Sequence, residues 1–181
     1  TSGTVAVAVN GVLQSGKTAV ISSGAWNIAN VTALDGDIVT VFVTSASDAA
    51  EAVGVTRFDG DGNITGMTLF ERHLSIGSDD ATSTPLTNAD LGLYDYTNTE
   101  DIFFSVTGTT LSTCVDSACS DAELYVGSGA YFSPGGRVVT HNFENNGTFT
   151  AGSYTHEVNG SWDNNATTTM TGSTVVFAAT S

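Results

Sequence analysis

Positive charge is the scarcest property of this sequence. Its 181 residues include 4 lysines and arginines against 19 aspartates and glutamates, which gives a formal net charge of −15. A protein that binds nucleic acid needs a basic face to meet the phosphates, so this function class is excluded. Apolar runs of roughly 18 residues are also missing, so we expect no insertion into a membrane as a spanning helix.

Cysteine and proline are rare as well, with 2 residues of each type. Cys114 and Cys119 are separated by four residues, and we expect them to form a small disulfide in an oxidising compartment. Free thiols are the alternative. A zinc site would need two more soft ligands nearby, and the neighbouring sequence offers none.

The prevailing residue types, Thr, Ser, Val, Gly and Asn, are those of strands and turns. Val5, Val7 and Val9 alternate with alanines, as in a strand with one apolar face. Residues 38–43 form the most apolar stretch and are expected to be a central strand. Turn signals every eight to twelve residues or so predict an all-β fold, with an Ig-like β-sandwich over residues 1–107.

An internal repeat occupies the last third of the chain. The stretch Phe143-Glu-Asn-Asn-Gly-Thr-Phe-Thr-Ala-Gly-Ser153 returns as Trp162-Asp-Asn-Asn-Ala-Thr-Thr-Thr-Met-Thr-Gly-Ser173, with its aromatic, acid, Asn-Asn and closing Gly-Ser in the same order. A period of roughly 17–20 residues is typical of stacked architectures. We therefore expect residues 108–181 to form a short β-solenoid or β-meander packed against the sandwich. Phe143 and Trp162 should then occupy equivalent core positions.

The stretch Asp59-Gly-Asp-Gly-Asn63 carries oxygen ligands at alternate positions, as calcium loops do. Asp59, Asp61 and Asn63 are therefore candidate calcium ligands, and we expect no other cofactor. The positions that should hold a glycine and a bidentate glutamate hold isoleucine and phenylalanine instead. The alternative is a tight hairpin turn between strands at residues 53–58 and 64–70.

Two further patterns concern possible modification and metal binding. His141 and His156 lie about one repeat apart, where stacked metal ligands are one interpretation and strand histidines without a metal are the other. Five Asn-X-Ser/Thr sequons are candidate N-glycosylation sites, and the chain is so rich in these residues that some arise by chance. The sequon asparagines are Asn30, Asn63, Asn146, Asn159 and Asn165.

Signs of catalysis are missing from the sequence. It contains no nucleophile elbow, phosphate loop or dinucleotide fingerprint, and its paired carboxylates, such as Glu100-Asp101, lie in polar loops. We therefore expect no enzyme, and a secreted glycan-degrading enzyme is the least favoured function. A carbohydrate-binding adhesin module, with surface glycans as partners, is the second choice. Its aromatic platform would draw on Trp26, Tyr125, Tyr131, Tyr154 and Trp162.

Three stretches resemble modules of very large, repetitive bacterial secreted and surface proteins. They are Gly3-Thr-Val-Ala-Val-Ala-Val-Asn-Gly11, Arg57-Phe-Asp-Gly-Asp-Gly-Asn-Ile-Thr-Gly66 and Asn145-Asn-Gly-Thr-Phe-Thr-Ala-Gly-Ser153. The resemblance implies a module displayed outside the cell, repeated or polymerised, with no catalytic residues. The chain is also similar in size and strand content to subunits of extracellular filaments that are built by donated strands.

Apolar strands lie near both ends of the sequence, and a strand with an unpaired edge is a template for pairing with a neighbour. We therefore predict a structural subunit of a filament, pilus-like fibre or surface layer. The partner would be a second copy, joined head to tail through the terminal strands. The predicted assembly residues are Val5, Val7, Val9, Val175, Val176 and Phe177.

Overall fold

A computed structural model of the chain describes residues 3–44, 50–79, 84–114 and 122–178. The protein is all-β and forms a β-solenoid of about six turns, as expected for the repeat. Helical structure in the described residues comprises α1 (Asn88–Leu91), the 3-10 turn Gly92–Tyr94 that follows it and a 3-10 position at Ala50. The strands are β1 (Thr4–Val9), β2 (Val12–Val20), β3 (Ile38–Thr44), β4 (Val53–Arg57), β5 (His73–Ile76), β6 (Ser105–Thr107), β7 (Thr110–Ser112), β8 (Glu123–Val126), β9 (Tyr131–Phe132), β10 (Val138–Thr140), β11 (Asn142–Asn145), β12 (Thr148–Thr150), β13 (Thr155–Val158), β14 (Trp162–Asn164), β15 (Thr167–Thr169) and β16 (Thr174–Phe177).

One eight-stranded sheet runs through both halves of the chain in the order β14-β11-β8-β5-β4-β3-β1-β2. The strands from β2 to β4 pair antiparallel, whereas those from β4 to β14 pair parallel. The predicted boundary after residue 107 falls in the turn of the β6–β7 hairpin, and β5 pairs with β8 across it. The two predicted parts therefore share a continuous sheet.

Two smaller sheets complete the solenoid. A five-stranded sheet has the order β16-β13-β10-β7-β6, and a three-stranded sheet has the order β15-β12-β9. The last three turns are the most regular, because each contributes a strand to every sheet. Their parallel register places Phe143 beside both Leu124 and Trp162. The repeat found in the sequence is thus the solenoid turn itself.

Stacked aromatic rings fill the solenoid interior. The Phe143 ring centroid lies 4.3 Å from that of Trp162 and 4.9 Å from that of Phe149, and Phe132 lies 5.9 Å beyond Phe149. Phe132, Phe143 and Phe149 are buried. Parallel stacking puts the same position of each turn on the same line, so a large side chain recurs at one interior position. Phe143 and Trp162 occupy equivalent positions, as the repeat predicted.

The Ig-like sandwich is not seen in the described residues. β1 to β4 belong to the single large sheet, and β1 is buried on both faces. Ala6 and Ala8 point into the solenoid-side core, whereas Val5, Val7 and Val9 point to the opposite, outer face. Small alanines suit the inner face because large side chains from the solenoid already fill it.

Two irregular segments cover the outer face in place of a second sheet. We call residues 26–33 the first cover segment and residues 62–69 the second cover segment. Their apolar side chains pack against the outer valines of β1 and β3, but neither segment belongs to a strand. The predicted hairpin between residues 53–58 and 64–70 is not observed. β4 pairs with β3 and β5, and residues 64–70 belong to no strand.

Candidate functional site

The last described turn of the solenoid contains three strands that lie at sheet edges. β14, β15 and β16 pair on one side with β11, β12 and β13, and no described strand pairs on their other side. Apolar side chains are exposed at this end, with Phe177 61% exposed, Val176 43% and Met170 36%. We call this surface the open end. Unpaired backbone groups beside exposed apolar side chains are the usual requirements for strand addition.

A ladder of asparagines runs towards the open end. The buried Asn145 amide donates to Asn164 Oδ1 at 2.8 Å, to the Thr167 carbonyl at 3.0 Å and to Thr168 Oγ1 at 3.0 Å. Asn164 is the equivalent residue one turn later, and its amide donates within its own turn to the Ala166 carbonyl at 3.2 Å. The Asn145 amide thus donates to the next turn, whereas the Asn164 amide has no further described turn to which it could donate.

The predicted assembly residues divide into two groups. Val5, Val7 and Val9 lie on β1, which is paired with β2 on one side and with β3 on the other, so this strand offers no free edge. Val176 and Phe177 lie exposed on the edge strand β16. Its Val175 is half-buried against the core.

Within the described ranges, the free edge at the other end of the large sheet is β2, which was not among the predicted assembly strands. Val20 is 72% exposed, Val12 62% and Leu13 49%. The strand contains Lys17, one of the few basic residues of the chain, and its pairing with β1 shifts register between Ala6 and Ala8. Sequence reasoning missed β2 as one strand because Gly16 and Lys17 divide it into two short apolar pieces.

The candidate calcium loop forms a tight turn. Asp59 Oδ1 accepts the Asp61 backbone N–H at 2.9 Å, and Gly60 and Gly62 have φ angles of 86° and 63°. Asn63 follows, exposed, at the start of the second cover segment. In the described residues no group of three His, Cys, Asp or Glu side chains is arranged to hold a metal ion. The turn geometry accounts for the Asp-Gly pattern without a ligand.

The candidate glycosylation sites differ in exposure. Asn30, Asn63 and Asn165 are exposed, whereas the Asn146 amide donates to Glu144 Oε1 and the Asn159 amide donates to the Thr140 carbonyl at 3.4 Å. Asn30 and Asn63 both belong to the cover segments. Cys114 is disulfide-bonded. Cys119, its predicted partner, lies outside the described residues.

His156 is buried in the solenoid with both ring nitrogens engaged. Its Nδ1 accepts the Val138 N–H at 3.2 Å, and its Nε2 donates to the Ala151 carbonyl at 3.0 Å. Burial lowers the pKa of His156, and the Arg137 charge lowers it further, against the opposing effect of the Ala151 hydrogen bond. The ring is therefore a neutral structural group rather than an open metal ligand.

The buried acids of the described chain serve structural roles as well. Asp95 accepts the backbone N–H groups of Thr97 at 3.1 Å and Val106 at 3.0 Å. Glu51 pairs with Arg72 at 3.2 Å, and Asp79 Oδ2 accepts the Asp59 backbone N–H at 3.3 Å. These carboxylates hold turns and crossovers in place.

A cleft of about 960 Å³ lies between the two cover segments. Its floor is the outer face of the large sheet, formed by Val7, Val39 and Val41. Trp26 lies at its side and is the one member of the predicted aromatic platform that lines it. Trp162 instead stacks on Phe143, so the platform does not assemble.

Comparison of the chain with protein-family models, with curated proteins and with solved structures gave no match. Neither of the short helical stretches in the described residues is long or apolar enough to cross a bilayer.

Proposed function

We propose that this protein is a structural module of an extracellular surface assembly, such as a filament, a pilus-like fibre or a surface layer. The observation that carries the proposal is the open end, where each of three sheets has an edge strand without a further partner among the described residues. A globular protein normally protects such edges because they bind other strands. The partner that we propose for the open end is a second copy of the chain.

The second copy would offer β2, the free edge at the opposite end of the large sheet. Pairing of β14 with β2 would extend one sheet from copy to copy and join the strand that carries Asp163 to the strand that carries Lys17. It would also bring the exposed Val176 and Phe177 of the same turn against the second copy. The two edges differ, so the contact is head to tail and does not close on itself. The disulfide at Cys114 supports an oxidising, extracellular location.

The test compares two exposed apolar residues changed in the same way. Phe177→Lys adds a charge to the open end, whereas Leu34→Lys adds one to a turn away from any sheet edge, where Leu34 is 71% exposed. We expect the wild-type protein and Leu34→Lys to associate increasingly as the protein concentration rises from about 1 to 100 μM. Phe177→Lys should associate at least about tenfold more weakly.

Sedimentation velocity and negative-stain electron microscopy measure this association, and thermal melting checks that both variants fold. A wild-type protein that stays monomeric throughout the concentration range would contradict the proposal. So would equal association of Phe177→Lys and Leu34→Lys. The adhesin alternative has less support, because only Trp26 of the five candidate platform residues lines the cleft.

A further inference from the structure

The cover segments repeat each other. Asn27-Ile-Ala-Asn-Val-Thr-Ala33 and Asn63-Ile-Thr-Gly-Met-Thr-Leu69 share asparagine, isoleucine and threonine at matching positions. In both segments apolar, half-buried residues alternate with exposed ones, as in a strand with one buried face. Both alternations are interrupted at the same place by a left-handed residue, Asn30 with a φ of 57° and Gly66 with a φ of 72°.

The backbones of both segments lack the hydrogen bonds of a sheet. No backbone–backbone bond joins residues 26–33 or 62–69 to any described residue, and the one bond to a backbone atom there is from Thr68 Oγ1 to the Gly66 carbonyl at 3.4 Å. These segments therefore have the side-chain pattern of strands but none of the ladder that strands form.

Strand directions show how the segments lie. β2 and β3 both run antiparallel to β1, so the first segment, which connects them, runs back opposite to both. The second segment similarly runs opposite to the parallel strands β4 and β5. Since β3 and β4 are antiparallel, the two cover segments run in opposite directions on either side of the cleft.

Among the described residues, backbone hydrogen bonds join the chain beside the two segments at one end. Gly36 N–H donates to the Phe58 carbonyl at 2.9 Å, and Phe58 N–H donates to the Asp37 carbonyl at 2.8 Å. Asp35 packs closely on Gly60. A Cβ added to Gly60 would lie only 2.7 Å from the Asp35 Cβ. Beyond this closed end the cleft separates the segments, above an apolar floor.

We propose that this cleft binds an extended peptide strand from a partner protein, with apolar residues at alternate positions and a basic residue at one end. Such a strand would pair with both cover segments at once and place its apolar side chains on Val7, Val39 and Val41. A β-strand is the ligand that uses two unpaired backbones and a floor of alternate apolar side chains together. The bound strand would complete a second sheet over the outer face.

Charge selects the partner. The side chains that line the cleft are uncharged, whereas Asp35, Asp59 and Asp61 lie at or beside its closed end. A basic residue at the end of the peptide would meet these acids. A second copy of this chain fits the cleft less well, because its free strand β2 carries its one basic residue, Lys17, inside the strand and not at an end. The proposal does not depend on assembly at the open end.

The test uses a synthetic peptide of about nine residues, Lys followed by alternating Val and Thr, which is long enough to span a cover segment at about 3.3 Å per residue. A control peptide has the same side chains but carries N-methyl groups at alternate backbone nitrogens, which removes donors for strand pairing. Calorimetry with the wild-type protein compares them. We expect the N-methylated peptide to bind at least about tenfold more weakly.

A matched pair of protein variants locates the site. The chain has 2 methionines, Met67 in the second cover segment and Met170 near the open end. Met67→Asp places a charge in the cleft and should weaken peptide binding about tenfold or more, whereas Met170→Asp should change it less than about twofold. The N-methylated peptide keeps the proposal testable on wild-type protein if Met67→Asp unfolds.

Several outcomes would overturn the proposal. No binding of the alternating peptide at about 1 mM excludes a strand ligand of this chemistry. Equal binding of the N-methylated peptide shows that backbone pairing is not the mode of recognition. Binding of a glycan on an array, lost in Met67→Asp without any peptide binding, assigns the cleft to carbohydrate. Loss of self-association in Met67→Asp, again without peptide binding, assigns it to a second copy.

Discussion

Replacing Asn145 by alanine should be among the most destabilising changes in the solenoid, although it removes only an uncharged side chain. Asn145 is fully buried, and its Oδ1 accepts the buried Gly147 N–H at 3.1 Å. Its amide serves three acceptors in the next turn, at Asn164, Thr167 and Thr168. In the variant the Gly147 donor and these acceptors lose their partner inside a close-packed corner.

The magnitude follows from these contacts. One buried donor left without an acceptor costs about 1–3 kcal/mol, and each hydrogen bond lost adds about 1 kcal/mol. An NH₂ group has two hydrogens for its three acceptors, so at most two of those bonds count at once. We expect Asn145→Ala to lower the free energy of unfolding by about 3 kcal/mol. For a chain of this size, that lowers the melting temperature by about 6–12 °C.

Asn164→Ala is the matched control, because Asn164 is the same residue of the repeat one turn later and is exposed. We expect it to lower the free energy of unfolding by about 1 kcal/mol or less. Urea unfolding followed by circular dichroism, together with melting temperatures, compares the two variants. The prediction is contradicted if Asn145→Ala lowers the free energy of unfolding no more than Asn164→Ala does. The buried hydrogen bonds of Asn145 would then contribute no more to stability than the exposed ones of Asn164.

Three further predictions concern the solenoid interior. The pKa of His156 is lowered in the fold, so its contribution to stability is complete above the unfolded pKa of about 6.5 and is lost as the pH falls towards the folded value, by at most about 1.4 kcal/mol per pH unit. His156→Gln should remove this component from urea titrations at pH 7.5 and 5, and an unchanged pH profile would contradict it. Phe149→Ala should cost about 3–5 kcal/mol by the same urea assay, because Phe149 packs among three aromatic rings; a loss below about 1 kcal/mol would exclude that core. Gly136→Ala should prevent folding because its Cβ would overlap the Thr109 carbonyl oxygen. Gly77→Ala is the control and should fold, because its Cβ would make ordinary contacts at 3.6 Å. Soluble yield and circular dichroism compare the two variants.

The solenoid could be predicted from the sequence because stacking makes equivalent residues neighbours. Phe143 and Trp162 are one repeat apart in the sequence and lie side by side in parallel register. Asn145 and Asn164 are related in the same way, and their side chains are hydrogen-bonded. Self-similar stacking preserves the residue type at such positions, so the pattern itself carries the contact. The central position of β3 was also predictable from its continuous apolar run, which is typical of a strand buried on both faces.

The sandwich was predicted wrongly because apolar alternation shows which face of a segment is buried, but not whether its backbone pairs. The cover segments have the alternation of strands, and their partners depend on tertiary contacts that no local pattern records. The alternation in β1 indicated a strand with one apolar face, whereas both faces are buried and Ala6 and Ala8 pack against the solenoid core. The open end and the cleft both arise from pairing that is incomplete, and incomplete pairing is not visible in composition or period.

The charges on the free edges bear on the direction of assembly. Natural proteins protect open edges with lysine, proline or bulges, and β14, β15 and β16 contain none of the first two. The one charge on these strands is Asp163, so two open ends that met each other would oppose like charges. β2 carries Lys17 and a register shift, which partly protect that edge and also complement Asp163. In the proposed assembly, contact between unlike edges would therefore be favoured over contact between like edges, which is the head-to-tail arrangement.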